Sequence, residues 1–170
     1  LLVKTLQKRH IFDLPASHVQ LQKTCRRFTD ELLAQRASMF DKEGKFPTDA
    51  VRQIGQLGLM SMLVPEEYGG SGMNYLAYVI ALEEISRGCA SVGCIMSVQN
   101  SLFFTPLLKY GSSAQINAYL GPFLTGEKLG CFALSEPGNG SDAGAASTMA
   151  KREDSSWMLN GTKVRKILYK

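Results

Sequence analysis

The chain has 170 residues, 45% of them hydrophobic and 20% charged, with 16 Gly, 6 Pro and a formal net charge of +4. That length fits about one domain, or one domain and part of another, and the composition excludes a disordered, collagen-like or coiled-coil protein. The charge divides unevenly: residues 1–12 carry +3 and 163–170 carry +4 while 13–162 carry −3, so the folded part offers no basic face for nucleic acid.

The basic, acid-free start LLVKTLQKRHIF (1–12) reads either as the remnant of an organelle-targeting segment or as a plain terminus. From 17 to about 40, Leu21, Cys25, Phe28 and Leu32 are spaced as one face of a helix, which Gly44 and Pro47 end. Thr48 or Asp49 is the expected cap of a short second helix bearing Val51, Ile54 and Leu57. LVPEEYGGSGM (63–73) reads as a loop. Asn74 is a natural N-cap for a third helix, YLAYVIALEEISRG, ended by Gly88. A fourth runs from about Ser91 to Thr105, where Pro106 is expected to kink or stop it. Ser112 and Gln115 form a capping box for a fifth helix with Ile116, Tyr119, Leu120 and Phe123. No apolar run approaches the ~18 residues of a spanning helix, so no membrane span is expected.

After Gly126 the pattern changes. KLGCFALSE (128–136) reads as a short buried strand, EPGNGSDAG as a loop, and TMAKREDSSWMLNGTK as two strands, with Asn160-Gly161 the strongest local hairpin signal. Helices followed by strands imply a helical domain joined to a separate β unit, and two or three strands are too few to close a sheet.

Cys25, Cys89, Cys94 and Cys131 form no CxxC pair and read as small buried hydrophobes; with two histidines, His10 and His18, near the start, no metal site is proposed. GNGSDAG (138–144) follows an apolar stretch, but 142–152 lack the apolar residues of a Rossmann crossover helix. It is either a loop that meets a cofactor through backbone N–H groups or a structural glycine turn. Ser97, Ser101 and Thr105 lie at i, i+4, i+8, either to allow close helix packing or to line an apolar ligand pocket. Glu83 and Glu84 point about 100° apart on a helix and cannot share one proton, so one of them is expected to be a solvated or Arg-paired charge.

Three segments carry a resemblance: CFALSEPGNGSDAGAAST (131–148), VPEEYGGSGMNYLAYVIALEEISRGCASVGCIMSVQNSL (64–102) and SSWMLNGTK (155–163). Together they resemble the acyl-CoA dehydrogenase family, with EEISRGCAS and LSEPGNGSDAGAAST most similar to its short-chain branch. The resemblance covers about residues 13 to 163. It implies a mainly α fold: an N-terminal helical domain (13–127) followed by the first strands of an incomplete β-barrel domain (128–163), then a divergent basic tail (164–170).

It further implies a homotetrameric FAD enzyme of the mitochondrial matrix. A glutamate takes the α-proton of a short-chain acyl-CoA, the flavin takes the β-hydrogen as hydride, and an electron-transferring flavoprotein removes the electrons. Phe132, Ala133, Leu134, Ser135, Glu136, Pro137, Gly138, Asn139, Gly140 and Ser141 match the family's first flavin-contacting segment. Backbone groups of Ala133 and Leu134 and the Ser135 hydroxyl would meet the ring's polar edge, Ser141 would touch the acyl-CoA, and the Ser97–Ser101–Thr105 stripe would border the acyl tail. Gly138 and Gly140 would let backbone approach a bulky ligand. Arg165, Lys166 and Ile167 stand where the family has Trp-Ile-Thr, and the family's glutamate base has no counterpart in these residues. The expectation is a part of such an enzyme that binds FAD weakly or not at all by itself and is inactive alone. The rival readings are a non-catalytic helical fragment that docks onto full-length subunits, and a related dehydrogenase or oxidase of other chain length.

Overall fold

A computed structural model describes residues 14–164; the basic segments 1–12 and 165–170, with Arg165, Lys166 and Ile167, lie outside the described residues. Helix α1 (Ala16–Phe28) buries Cys25 and Phe28 and runs into a π-helical turn, Thr29–Leu33. One extra residue per turn rotates the apolar stripe, so Leu33 rather than Leu32 becomes the fully buried position. The predicted single helix to residue 40 is broken at 34–36, and α2 (Ala37–Glu43) follows, ending at Gly44 with φ 58° as its composition foretold.

Helix α3 (Thr48–Gln56) buries Val51 and Ile54, whereas Leu57 falls on the C-cap and is 44% exposed. Neither Thr48 nor Asp49 caps it; Pro47 occupies the N-cap, and Thr48 is already helical. The 63–73 loop holds a 3-10 turn, Glu66–Tyr68, is closed on itself by Gly72 N–H on Val64 O, and is stitched to the chain before it by Ser71 N–H on Ser61 O and Met73 N–H on Met62 O.

Helix α4 (Tyr75–Gly88) begins where expected, with the Asn74 side chain accepting from Ala77 N–H at 2.9 Å. It ends at Gly88, but for a packing reason: a Cβ there would stand 2.3 Å from the Thr29 Cγ2. The next helix does not stop at Pro106. α5 (Ala90–Ser97) passes through a π segment, Val98–Phe104, into α6 (Thr105–Tyr110). The wider π turn makes room for the proline ring, and Thr105 Oγ1 donates to Asn100 O at 3.2 Å.

This continuous helix, Ala90–Tyr110, is 21 residues with mean hydropathy 1.2, long and apolar enough to cross a membrane by length and composition alone. Here Val92, Ile95, Met96, Val98 and Phe104 are buried against protein, and fully buried Gln99 and Asn100 are tied to neighbouring backbone, so it serves as a core helix. Helix α7 (Ser113–Tyr119) opens with the predicted Ser112–Gln115 capping box and buries Ile116, with Leu120 behind it; Tyr119 is exposed instead. A short α8 (Gly121–Leu124) closes the helical part.

One core gathers Cys25, Leu33, Ile54, Met60, Ile85 and Met96 between α1, α3, α4 and α5. A second joins Val64, Phe104, Ile116 and Leu120, flanked by Phe103 and Phe123. The predicted strand at 128–136 is extended chain with bridge positions at Phe132 and Glu136 rather than a ladder, and Cys131 and Leu134 are exposed. β1 (Met149–Glu153) and β2 (Ser156–Asn160) pair antiparallel, Met149 opposite Asn160 and Glu153 opposite Ser156. Their turn lies at Asp154-Ser155, with Asp154 at φ 52°, not at Asn160-Gly161, which closes β2.

Candidate functional site: the 130–141 segment

The segment that matched the resemblance starts from an aromatic floor. Gly130 lies so close on Phe103 that a Cβ would meet its ring at 2.0 Å, and Phe103 stacks obliquely on Phe123 with ring centroids 4.7 Å apart. Gln99, wholly buried in the π segment, donates to Phe123 O at 3.1 Å and accepts Gly130 N–H at 2.9 Å. Asn100 beside it accepts Leu63 N–H at 3.3 Å and donates to Leu59 O at 2.9 Å. Gln99 thus fixes where the extended segment leaves the helical core, and Asn100 ties the same helix to the 59–63 chain. Sequence reasoning missed them, although an adjacent Gln-Asn pair inside an apolar helix is a signal, because buried amides need partners.

From Gly130 the chain runs out over the surface. Ala133 N–H, Leu134 N–H and the Ser135 and Ser141 hydroxyls make no hydrogen bond among the described residues. Asn139 Nδ2 is buried and likewise has no partner. Leu134 O accepts from Lys163 Nζ at 2.9 Å and Ser135 O from Val164 N–H at 2.8 Å, so the chain after β2 braces one edge of the segment. Glu136 N–H and O both bond to Asn139, closing a tight turn.

Gly138 and Gly140 face open space: a Cβ on either would meet nothing within 4 Å, and neither has a positive φ. Backbone conformation does not require glycine at either place, and neither does packing among the described residues.

Glu136 is the exception in this otherwise open segment. Its side chain is 2% exposed and accepts from Lys163 Nζ at 2.8 Å, Thr148 N–H at 3.0 Å, and both Ser147 N–H and Ser147 Oγ at 2.6 Å. The hydrogen bond from Lys163, then those from Ser147 and Thr148, hold its carboxyl well below the usual carboxylate range.

The other singled-out groups sit elsewhere. Glu84 is buried and doubly bonded by Arg26 at 2.9 and 2.6 Å, while Glu83 is exposed, so the Arg-paired reading belongs to Glu84. Arg26, then Arg87, hold the Glu84 carboxyl below its ordinary value. Ser101 Oγ donates back to Ser97 O at 2.7 Å and Ser97 Oγ accepts from Tyr78 OH at 3.0 Å, which is the close-packing use of the stripe. Cys25 and Cys89 are buried as expected; Cys94 and Cys131 are exposed instead.

The family description "Acyl-CoA dehydrogenase, N-terminal domain" matches residues 15–127. The chain belongs to the acyl-CoA dehydrogenase family. It is 60% identical over 151 residues to the mitochondrial short-chain specific acyl-CoA dehydrogenase of Rattus norvegicus, covering 89% of this chain and 37% of that one. The chain thus spans little more than a third of the relative's length. Among solved acyl-CoA dehydrogenases, butyryl-CoA dehydrogenase from Megasphaera elsdenii superposes with TM-score 0.82 at 32% identity, over 91% of this chain and 42% of that one. A glutaryl-CoA dehydrogenase from Mycobacterium smegmatis in complex with FADH2 superposes with TM-score 0.84 at 32% identity, over 90% and 39%.

FAD fits this segment by the chemistry of its free groups. Among the described residues Ala133 N–H, Leu134 N–H and the Ser135 and Ser141 hydroxyls are unspent donors on half-buried to exposed chain, and the edge of an isoalloxazine carries carbonyl acceptors. The two glycines leave the backbone beside them open, with nothing within 4 Å of where a Cβ would stand.

Proposed function

We propose that these residues supply the flavin-cupping and substrate-contacting part of an FAD-dependent dehydrogenase of short-chain fatty acyl-CoA in mitochondrial β-oxidation. The carrying observation is that, among the described residues, Ala133 N–H, Leu134 N–H and the Ser135 and Ser141 hydroxyls have no partner, and that a Cβ on Gly138 or Gly140 would meet nothing within 4 Å. The similarity to a relative named short-chain specific and mitochondrial supports the substrate class and a mitochondrial location, within which we assign the matrix. FAD, when bound, supplies a two-electron acceptor for the hydride leaving the substrate.

In this reading Ala133 N–H, Leu134 N–H and the Ser135 hydroxyl orient the ring's polar edge. Phe132, Pro137 and Asn139 shape the strip around it. Gly138 and Gly140 admit the ligand to the backbone, and Ser141 meets the acyl-CoA. Proton abstraction needs a carboxylate within hydrogen-bond reach of the substrate. Glu136 is already committed to four donors, and the exposed Asp142 accepts from Gly144 N–H at 3.2 Å. In this reading neither is the base: these residues bind and orient, and alone they turn over no acyl-CoA. In the whole enzyme we assign electron-transferring flavoprotein as electron acceptor and a homotetramer as the assembly.

A second reading, docking onto full-length subunits, draws on the exposed Tyr75, Leu76 and Val79 of α4. The test of the first is an amide-resolved NMR titration of the chain with FAD. Shifts confined to 132–141, weak in affinity, are expected, with no oxidation of butyryl-CoA in the same sample. A titration that leaves 132–141 unmoved sinks the flavin reading, and a soluble mixed oligomer with an intact homologue would then favour docking.

A further inference from the structure

We propose that Glu136 is a positioning residue, the internal anchor that holds the 137–147 loop in place behind the flavin-facing strip, and not a ligand of the flavin. This deepens the flavin reading above and rests on it only for the identity of what the loop presents.

An ionised carboxylate offers about four acceptor positions. Here all four are occupied from within the chain. Oε1 takes Thr148 N–H at 3.0 Å and Lys163 Nζ at 2.8 Å, and Oε2 takes the N–H and Oγ of Ser147, each at 2.6 Å. With 2% of the side chain exposed, no lone pair is left facing outward. The residue's own backbone is spent as well, on the turn with Asn139.

The donors come from three residues at two places along the chain. Ser147 and Thr148 end the loop that Glu136 begins, so the carboxylate closes it as a clasp. Lys163 arrives from beyond β2 and also donates to Leu134 O, which ties the clasp to the strip itself. A carboxylate is suited to this because it accepts only, and every group aimed at it donates. A glutamine in its place would turn an NH2 group toward donors. The loop apex, with Gly138, Gly140 and Ser141, is held outward by this inward bond set, and loss of the clasp would let the strip lose its register.

The test uses the full chain and its E136Q and K163M variants. Amide hydrogen exchange at Ser147 and Thr148 is expected to quicken at least tenfold in E136Q and several-fold in K163M, with Ile54 and Ile85 amides unchanged. On adding FAD to the wild-type chain, the carbonyl-carbon shift of the Glu136 carboxylate should stay fixed while Ala133 and Leu134 amides move. E136Q should need at least tenfold more FAD for the same movement. Unchanged Ser147 and Thr148 exchange in both variants overturns the anchor. So does a Glu136 carboxylate resonance that moves with FAD, or E136Q exchange that quickens with no change in FAD response. Should wild type show no FAD response at all, the flavin reading fails, and the exchange data alone still decide the clasp. If E136Q does not fold, K163M, which removes one donor of four, carries the same comparison.

Discussion

Glycine means two different things in this chain. A Cβ on Gly55 would sit 1.8 Å from Thr125 O, and one on Gly130 would enter the Phe103 ring, so both residues exist for close approach within the fold. Gly138 and Gly140 have no such neighbour. Gly55→Ala and Gly130→Ala are therefore expected to cost about 1–3 kcal/mol by forcing packed elements apart. Gly138→Ala and Gly140→Ala should change stability by no more than about 0.5 kcal/mol, yet weaken the FAD-induced shifts at 132–141. Urea midpoints at constant slope, beside the titration, separate the two pairs. Cysteine divides in the same manner. Burial, and then the Glu84 charge, push the Cys25 thiol up to about 11. Because the thiolate is the reactive form, alkylation at neutral pH should modify exposed Cys94 and Cys131 quickly and leave Cys25 until the protein unfolds.

At the scale of elements, the Asn74 and Ser112 caps and the ends at Gly44 and Gly88 were legible, whereas the Thr48 or Asp49 cap and the course of the chain at Pro106 were not. The Asn74 cap and the Ser112–Gln115 box need only residues three apart, so local sequence contains everything they require. Asn74→Ala should remove about 1 kcal/mol, read as a lower urea midpoint. The misread elements share another cause. Pro106 fails to stop its helix because a π turn upstream yields room, and that turn is held by Asn100 reaching Leu59 and Leu63 far back in the chain. Likewise the hairpin turns at Asp154-Ser155 rather than at Asn160-Gly161, and the chain beyond β2 is drawn to Leu134, Ser135 and Glu136 by Lys163 and Val164. Contacts over such separations have no local signature.

Two inward carboxylates connect the whole molecule to pH. Glu84 joins α4 to α1 through Arg26, and Glu136 joins the loop to the chain after β2 through Lys163. Both have folded pKa values depressed below the unfolded value of about 4.3. The sign follows: their stabilisation is present above that pH and is lost as pH falls through the folded values, since the native state must then take up protons it had excluded. Urea midpoints should hold steady from neutral pH to about 5 and fall below about 4. E84Q should be less stable at neutral pH and show a shallower acid decline. Equal acid slopes in wild type and E84Q would refute the assignment.

What the amino-acid order determined by itself was local or compositional: helices before strands, the Asn74 and Ser112 caps, the fold class and the family signature, including the strip 132–141. Each depends on spacing and residue type within a short window. Tertiary structure alone decided how that strip is held: Gln99 under Gly130, Lys163 across Leu134, and Glu136 turned inward onto Ser147 and Thr148. In a linear reading Glu136 was one more member of a contiguous motif. Only folding, by bringing donors 11, 12 and 27 residues away onto one carboxylate, separated the residue that supports from those that face outward.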